Sequence, residues 1–576
     1  MKRKSQQQAF VKHAYFNFSF WGICSALTIT ICTLIDALLV GNLVGSDGLA
    51  VVNLATPAFM AFALLGVTLG IGGNVLMGKH LGGSRVEEAN QQFHGLMAMG
   101  LVAGFLCLAV CALFRPGIIA LLGADDLLMP LATAYLTNVF YSAPLFVMYH
   151  ILTVSVRTDG DPKLAALAAG MVIVTNLTLD LVFMKGLNMG IAGASLSLAI
   201  AEGVGVGVLL LHFLKKHALL TLGWRRFTWK DMKNLLTNGF GIGSSYLFLG
   251  MVMVCFNTLL MDNSEQGVIQ VAVFGVIYTT GLLPGAFFEG GSNALSTVVS
   301  IFCGERDKES VMASFRLASL VACGAGALFA LLFMAMPEVA LNMFGLAGKV
   351  TAEAILAFRI YALSLLLSGF HMVVTAFWQT IGRYRLANSL SVVRNLVLMI
   401  TAGLLLIPTN GIVGVALAYV VAEVGGLVGV LAVRLASSSA GYLTKSYNTV
   451  QRSFEKYYVI ETESIARISV DLEELCDSWE MNMKQSFFVN LIVEELVLNI
   501  IKFGLNGQDK QYYIAIKVLD NDGEYILRIR DNVKIYNPFD SQGDDVDMGV
   551  MRMITTKATY YNYQRKLIFN YLYLIL

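Results

Sequence analysis

Charge is what this sequence has least of. Only 14% of its 576 residues are Asp, Glu, Lys or Arg, and 56% are hydrophobic; an ordinary soluble domain carries roughly 25% charged residues. That shortage excludes a soluble globular protein for most of the chain and assigns it to lipid. Neither sign prevails, since 40 basic and 39 acidic residues leave a net charge of +1. Without a basic tract there is no electrostatic footprint for nucleic acid. The eight cysteines are scattered and none has C-x-x-C or zinc-like spacing. Cys107 and Cys111, four residues apart, read as packing within an apolar segment. No G-x-x-x-x-G-K-S/T loop occurs anywhere, which removes P-loop ATPase chemistry. The opening MKRKSQQQ runs into apolar sequence with no small-residue cleavage site and is expected to be a retained cytoplasmic segment.

What is present is a series of long apolar runs. Twelve reach the roughly 20 residues needed to cross a bilayer: 14–40, 50–78, 92–114, 128–156, 163–185, 190–214, 236–262, 267–302, 311–335, 351–381, 386–407 and 411–435. The connecting loops sort by charge. One side holds Lys79, Arg85, Arg157, Lys163, Lys215, Arg225, Lys230, Arg306, Lys308, Arg383 and Arg385. The other holds little beyond Arg115, Lys185 and Lys349, with acids such as Asp125 and Asp262. The positive-inside rule puts the basic side in the cytoplasm, and an even span count returns the C-terminus there. The expected organisation is a six-helix lobe at 1–220, a second at 221–435, a polar linker at 436–450 and a cytoplasmic domain at 451–576.

The two halves resemble one another. GIAGASLSLAIAE at 190–202 matches GIVGVALAYVVAE at 411–423, an offset of 221; RTDGDPKLA at 157–165 matches QTIGRYRLA at 379–387, an offset of 222; GGSRVEEA at 82–89 pairs with CGERDKES at 303–310. Six spans per half imply a parallel repeat, two bundles related by an axis along the membrane normal. Such pairs rock against each other in alternating-access transporters.

An ionised carboxylate at mid-bilayer costs about 2.5 to 3.5 kcal/mol on insertion scales, so each one needs a reason. Asp36 lies well inside span 1. Asp180 lies in span 5, with Asn176 one turn earlier on the same face. Two acids in one half make a proton-responsive cluster; the plainer reading is that they line a wet cavity. The positions equivalent to Asp180 in the second half are Thr401 or Ala402, so ion coupling is expected in the first half. Glu289 in span 8 is the main acid of the second half, facing a cationic substrate or held structurally beside glycines. Glu202 and Glu423 are repeat mates and read as structural. Pro57, Pro144 and Pro284 are expected to bend their helices.

LIDALLVGNLVG with the following NLATP, the N-x-x-x-D of span 5, and GIAGASLSLAIAE resemble the multidrug and toxic compound extrusion (MATE) transporters over some three quarters of the chain. The resemblance implies twelve helices in two lobes and efflux of organic cations driven by H+ or Na+. It also implies cation coupling at Asp36, Asn176 and Asp180. The polar residue that family often carries on span 6 falls at Ser197 or Leu198. The superfamily includes lipid-linked sugar flippases, so small organic cations and lipid-linked substrates are both implied cargo, in a plasma-membrane protein with cytoplasmic termini.

The last 125 or so residues follow different periods. SIARISVDLEELCDSWEM and KQSFFVNLIVEELVLNIIKFG have helical spacing, the second with Phe487, Leu491 and Leu498 on one stripe. QYYIAIKVLD and EYILRIRDN alternate around NDG at 521–523, a hairpin signal. VMRMITTKA reads as a short helix, then YYNYQRK and FNYLYLIL as strands. Helices on one face of a mixed sheet make an α+β sandwich. Glu495 and Asn499 share a helix face while Glu494 points elsewhere. A carboxylate that orients water, beside an amide that holds Mg2+ against phosphate, suits nucleotide chemistry. With strand-borne Asp531 and the loop QGDDVDMG, these residues resemble the GHKL (histidine-kinase-ATPase type) fold, closest to the anti-sigma-factor serine kinases. The resemblance implies ATP and Mg2+. It makes Glu495 the catalytic base, Asn499 the metal ligand, Asp531 the adenine contact, and Gly543 to Gly549 the phosphate lid. Val533 and Met548 replace glycines of that family, and Lys502 a common histidine. Two functions follow: a cation-coupled exporter whose tail binds ATP or a regulatory protein, or a membrane-anchored serine/threonine kinase with the bundle as sensor.

Overall fold

The computed structural model describes residues 2–122, 124, 128–215, 217–225, 228–262, 267–343, 351–436, 452–460, 464–505, 512–521, 524–534, 537, 554, 558, 560–567 and 569–576. In lipid a backbone pairs within its own segment, and the apolar runs are helical. They are α1 (Lys2–Leu43), α2 (Ser46–Gly82), α3 (Val86–Leu113), the short α4 (Arg115–Leu121), α5 (Met129–Thr158), α6 (Pro162–Asp180) and α7 (Ile191–Leu210). The second half repeats the pattern with α8 (Trp229–Asp262), α9 (Gly267–Gly304), α10 (Lys308–Ala335), the short α11 (Pro337–Met343), α12 (Ala352–Thr380), α13 (Tyr384–Val392) and α14 (Met399–Ala436).

Among the described residues, eleven helices are long and apolar enough to cross a membrane, where twelve spans are expected from sequence. The difference lies in the last one, a continuous 53-residue segment from Tyr384 to Ala436. At 1.5 Å per residue it would extend about 80 Å, more than twice the hydrocarbon thickness. It turns at Gly411, whose φ of 53° and ψ of −130° break the helix. Gly190, its repeat mate, stands at φ 57° and ψ −138° in front of α7. The same left-handed turn therefore occurs at the same place in both halves, and only glycine adopts it without strain.

The lobes meet along a seam where α2 packs on α8 and α9, and α1 on α9. Small residues let the backbones approach closely there. A Cβ on Gly82 would lie 2.0 Å from the carbonyl oxygen of Ile301, and one on Gly304 would lie 2.2 Å from that of Lys79. These glycines stand at the helix ends nearest the C-terminal tail, so the seam is sealed on the tail side. Gly82→Val or Gly304→Val is expected to prise it open, because overpacking costs about 1–3 kcal/mol or more. Spin labels on the exposed Glu87 and Glu309 positions would then report a longer distance than in the parent protein.

The tail forms a five-stranded sheet of β1 (Arg452–Val459), β2 (Tyr513–Asn521), β3 (Glu524–Asp531), β4 (Tyr560–Lys566) and β5 (Phe569–Ile575), in the order β1-β2-β3-β5-β4. Every described pairing is antiparallel, where a mixed sheet is expected from sequence. For two of the four pairings the reason is local. β2 turns into β3 through two residues, and β4 into β5 likewise, and such short connections join only antiparallel neighbours. The β1 strand, not anticipated, covers the edge of β2.

Helices α15 (Ser464–Ser478) and α16 (Met483–Asn499) cover one face. α16 starts at a capping box in which Asn482 accepts from the Gln485 amide and Gln485 reaches back. Its buried stripe is Val489, Ile492, Val493, Leu496 and Val497. Phe487 and Leu498, expected on that stripe, are 60% and 42% exposed. They stand on flanks of the helix, turned away from Ile514, Ile516, Leu527 and Ile529 of the sheet.

The other face alternates out of phase with the first. Ala515, Phe569 and Tyr571 join Phe10, Val11 and Ala14 of α1 and Ile301 and Phe302 of α9 in one continuous core. Arg530 on β3 is 5% exposed. Its guanidinium lies 5.1 Å from the Phe10 ring and 5.5 Å from that of Phe302. It donates to the Tyr457 hydroxyl at 2.8 Å and pairs with Glu305 at 3.2 Å. Lys566 donates to Gly82 O at 3.4 Å and Ser84 Oγ at 2.9 Å. The tail is therefore docked on the α2–α3 loop of one lobe and the α9–α10 loop of the other.

Candidate functional site

In the first lobe the structure brings the three intramembrane candidates together. Asp36 descends on α1. Asn176 and Asp180 sit one turn apart on α6, both buried, and Asp180 closes the helix before the π-helical turn Leu181–Gly186. Such turns are frequent at functional sites. Asn176 accepts from the Cys32 thiol at 3.3 Å and donates to Ser197 Oγ at 3.3 Å. Ser197 in turn donates to Asp180 Oδ1. Of the two sequence candidates on α7, Ser197 is thus the one in the cluster, and it is wholly buried. Cys32, one turn before Asp36 on α1, thus brings that helix up to Asn176 and Asp180. Asp36 and Asp180 each keep one buried oxygen, Oδ1 and Oδ2 respectively, with no hydrogen-bond partner among the described residues. Buried polar atoms are nearly always paired. Two unsatisfied carboxylate oxygens beside an amide and a hydroxyl form a pocket that suits a proton or a small cation.

Glu289 accepts from the Tyr246 hydroxyl at 3.2 Å, and is so held by a side chain of the neighbouring helix α8. The repeat mates Glu202 and Glu423 have different surroundings. Glu202 Oε2 is buried without a hydrogen-bond partner among the described residues. Glu423 contacts His371 Nδ1 at 2.5 Å, Arg394 at 3.1 Å and Ser368 at 2.8 Å. Sequence reasoning missed His371 and Arg394; the only signal was a basic residue inside each of two spans.

It also missed a polar quartet on the seam. Asn74 Nδ2 donates across the lobes to Ser296 Oγ at 3.0 Å. Thr158 donates to Asn74 Oδ1 at 2.5 Å, and Ser296 bonds Thr380 at 3.0 Å. All four are buried. Asn74 and Ser296 are 222 residues apart, as are Thr158 and Thr380, so the quartet obeys the internal repeat. The repeat offsets, read for single polar residues as well as for motifs, would have found it.

In the tail, Asn499 Nδ2 donates to Glu495 Oε1 at 2.9 Å, and Glu494 is exposed. Asp531 is 1% exposed; its Oδ1 accepts from Asn570 Nδ2 at 2.8 Å and from the Val533 amide at 3.1 Å. Val533, in the glycine position, is buried against Gly504. Gly543 and Gly549 lie outside the described residues. Burial pushes the Asp531 carboxyl up to about 7, against the opposing effect of its two hydrogen bonds. A carboxyl raised in the folded state favours folding below its unfolded value, near 3.9, and loses that contribution as pH rises towards 7. The tail strands of the full-length protein are therefore expected to exchange amide hydrogens faster at pH 7 than at pH 4.5, after correction for the intrinsic rate. Asp531→Asn should flatten that dependence.

The MatE family model matches residues 23–182 and 244–405, one segment in each lobe. The chain is similar to the multidrug export protein MepA of Staphylococcus aureus strain MRSA252, at 22% identity over 67% of this chain and 85% of that protein. Among solved structures it is similar in fold to an outward-facing multidrug resistance MATE family transporter (TM-score 0.69, 22% identity, 76% of this chain and 98% of that one). It is likewise similar to a MOP superfamily transporter from Pyrococcus furiosus (TM-score 0.68, 23% identity, 76% and 98%).

Proposed function

This chain belongs to the MatE family, and from that premise we propose that it is a secondary active exporter of small organic cations, driven by inward H+ or Na+. The observation that carries the coupling is the pair of buried, unsatisfied carboxylate oxygens on Asp36 and Asp180. An entering proton or Na+ satisfies them, and its departure restores two like charges that repel in a dry site. Asn176 and Ser197 connect that change to α6 and α7. The seam between the lobes, held by the quartet on the tail side, is the contact that opens and closes as the lobes rock. The positive-inside bias of the loops supports a cytoplasmic tail and cytoplasmic termini, in a plasma-membrane protein.

The tail, in this reading, binds ATP–Mg2+ and regulates the lobes on which it is docked. Asn499 and Glu495 would hold the metal and phosphates, and Asp531 the base, whose amine would meet the carboxyl oxygen not used by Asn570. ATP supplies charge and binding energy there.

Efflux of a fluorescent organic cation from proteoliposomes, under imposed H+ and Na+ gradients in turn, tests the transport reading. Failure of both gradients to drive efflux, or movement of a lipid-linked substrate instead, would overturn it. ATP–Mg2+ titrated into the full-length protein tests the tail; Asn499→Ala and Glu495→Ala are each expected to weaken binding at least tenfold.

A further inference from the structure

Arg85 stands on the α2–α3 loop and Arg306 on the corresponding α9–α10 loop of the second half. The docked tail adds a third guanidinium. Arg85, Arg306 and Arg528 line one cleft of about 360 Å³, with Leu519, Ile526 and Tyr573 of the sheet as its apolar floor. Among the described residues no carboxylate lines it.

Glu305 pairs with Arg530 and Glu455 with Lys517 at 3.0 Å. Arg85 and Glu88 approach only to 3.9 Å, both about half exposed. Arg528 donates Nη1 to the Glu305 carbonyl at 2.9 Å and lies 5.2 Å over the Tyr573 ring. Its Nε is buried with no hydrogen-bond partner among the described residues. The cleft thus contains an unsatisfied guanidinium donor and two further arginines whose like charges repel. Guanidinium forks match phosphate oxygens in geometry and charge. The volume lies within the roughly 300–1,000 Å³ of small-molecule sites.

We infer that this cleft binds a phosphate-bearing small anion, its phosphate held by Arg85, Arg306 and Arg528 and its body resting on Leu519, Ile526 and Tyr573. The three arginines come from the first lobe, the second lobe and the tail. The bound anion therefore ties all three together while the seam is sealed on the tail side. The site lies across the sheet from α16 and is separate from Glu495 and Asn499. A soluble phosphate ester and a phospholipid headgroup offer the same chemistry.

Two arms distinguish these sources. In the first, the full-length protein in detergent, with EDTA to exclude Mg2+, is titrated with pyrophosphate by calorimetry. In the second, its melting is compared in nanodiscs of phosphatidylglycerol and of phosphatidylcholine. Binding of pyrophosphate that weakens roughly tenfold for each of Arg85→Gln, Arg306→Gln and Arg528→Gln supports a soluble ligand. Stabilisation by phosphatidylglycerol alone, lost in the same variants, supports a headgroup. Arg85→Lys with Arg306→Lys keeps the charge and should retain most of either response, which separates lost binding from misfolding. If neither probe distinguishes the parent from the glutamine variants, the inference is wrong.

Discussion

Asp36→Asn is expected to leave the protein folded and dye-binding but to lower gradient-driven efflux at least tenfold and remove its dependence on the driving ion. The substitution is nearly isosteric, and Asp36 Oδ1 makes no hydrogen bond with any described residue, so little packing is lost. What disappears is a negative charge beside Asp180. An amide cannot take up and release a proton, and its dipole attracts Na+ far less than a carboxylate does. A loss of only about 1.4 kcal/mol of differential binding already corresponds to tenfold. Asp180→Asn should act in the same direction, while Ser197→Ala, which removes only a donor to Asp180, should have a smaller effect. Counterflow exchange of dye without a gradient distinguishes lost coupling from lost transport. Coupled efflux by Asp36→Asn at the parent's rate would remove this aspartate from the mechanism.

Arg530→Ala has the largest expected effect on structure. Burial alone would push the Arg530 proton off, but Tyr457, Tyr571, Glu305 and Asp307 more than reverse this and hold its charge firmly. Removing one partner of a buried pair costs about 3–5 kcal/mol, because the other charge is left stranded. Here the stranded groups are Glu305 and Asp307, both under 10% exposed. The tail should come off the lobes, seen as faster amide exchange in β3, β5 and the Phe10 turn of α1. Arg530→Met combined with Glu305→Gln keeps the contact with Phe10 and Phe302 while removing both charges. A double-mutant cycle should find it much less harmful than the sum of its parts. Normal exchange in Arg530→Ala would show that the aromatic contacts alone hold the tail.

The membrane helices were legible because lipid leaves a chain few alternatives: a long apolar run must be a helix. Their pairing was legible through GIAGASLSLAIAE and its mate, and the turn before each copy has the same left-handed glycine. Strands β2 and β3 announced themselves by alternation around NDG. β1 did not, because Arg452, Glu455 and Lys456 interrupt its aromatic pattern and read as loop. The docking of the tail was not legible at all. Arg528 and Arg530 occupy the polar phase of an alternating strand, which ordinarily means solvent, and the acid that buries Arg530 lies 225 residues away. At the candidate site, the acids stood out by their cost in lipid. That Cys32, one turn before Asp36, meets Asn176, and that Ser197 joins Asn176 to Asp180, depends on helix packing no local pattern records.

The Asn74–Ser296 hydrogen bond joins two residues that the repeat maps onto each other. It therefore lies on the molecule's approximate twofold axis, where a contact occurs once rather than twice. A change at any off-axis contact is available in two copies, but this one is a single dial on the balance between closed and open. One buried hydrogen bond contributes about 0.5–1.5 kcal/mol, which corresponds to roughly a two- to tenfold shift in that balance. A chain of two six-helix lobes thus has its resting population adjustable through one side chain, without altering either lobe.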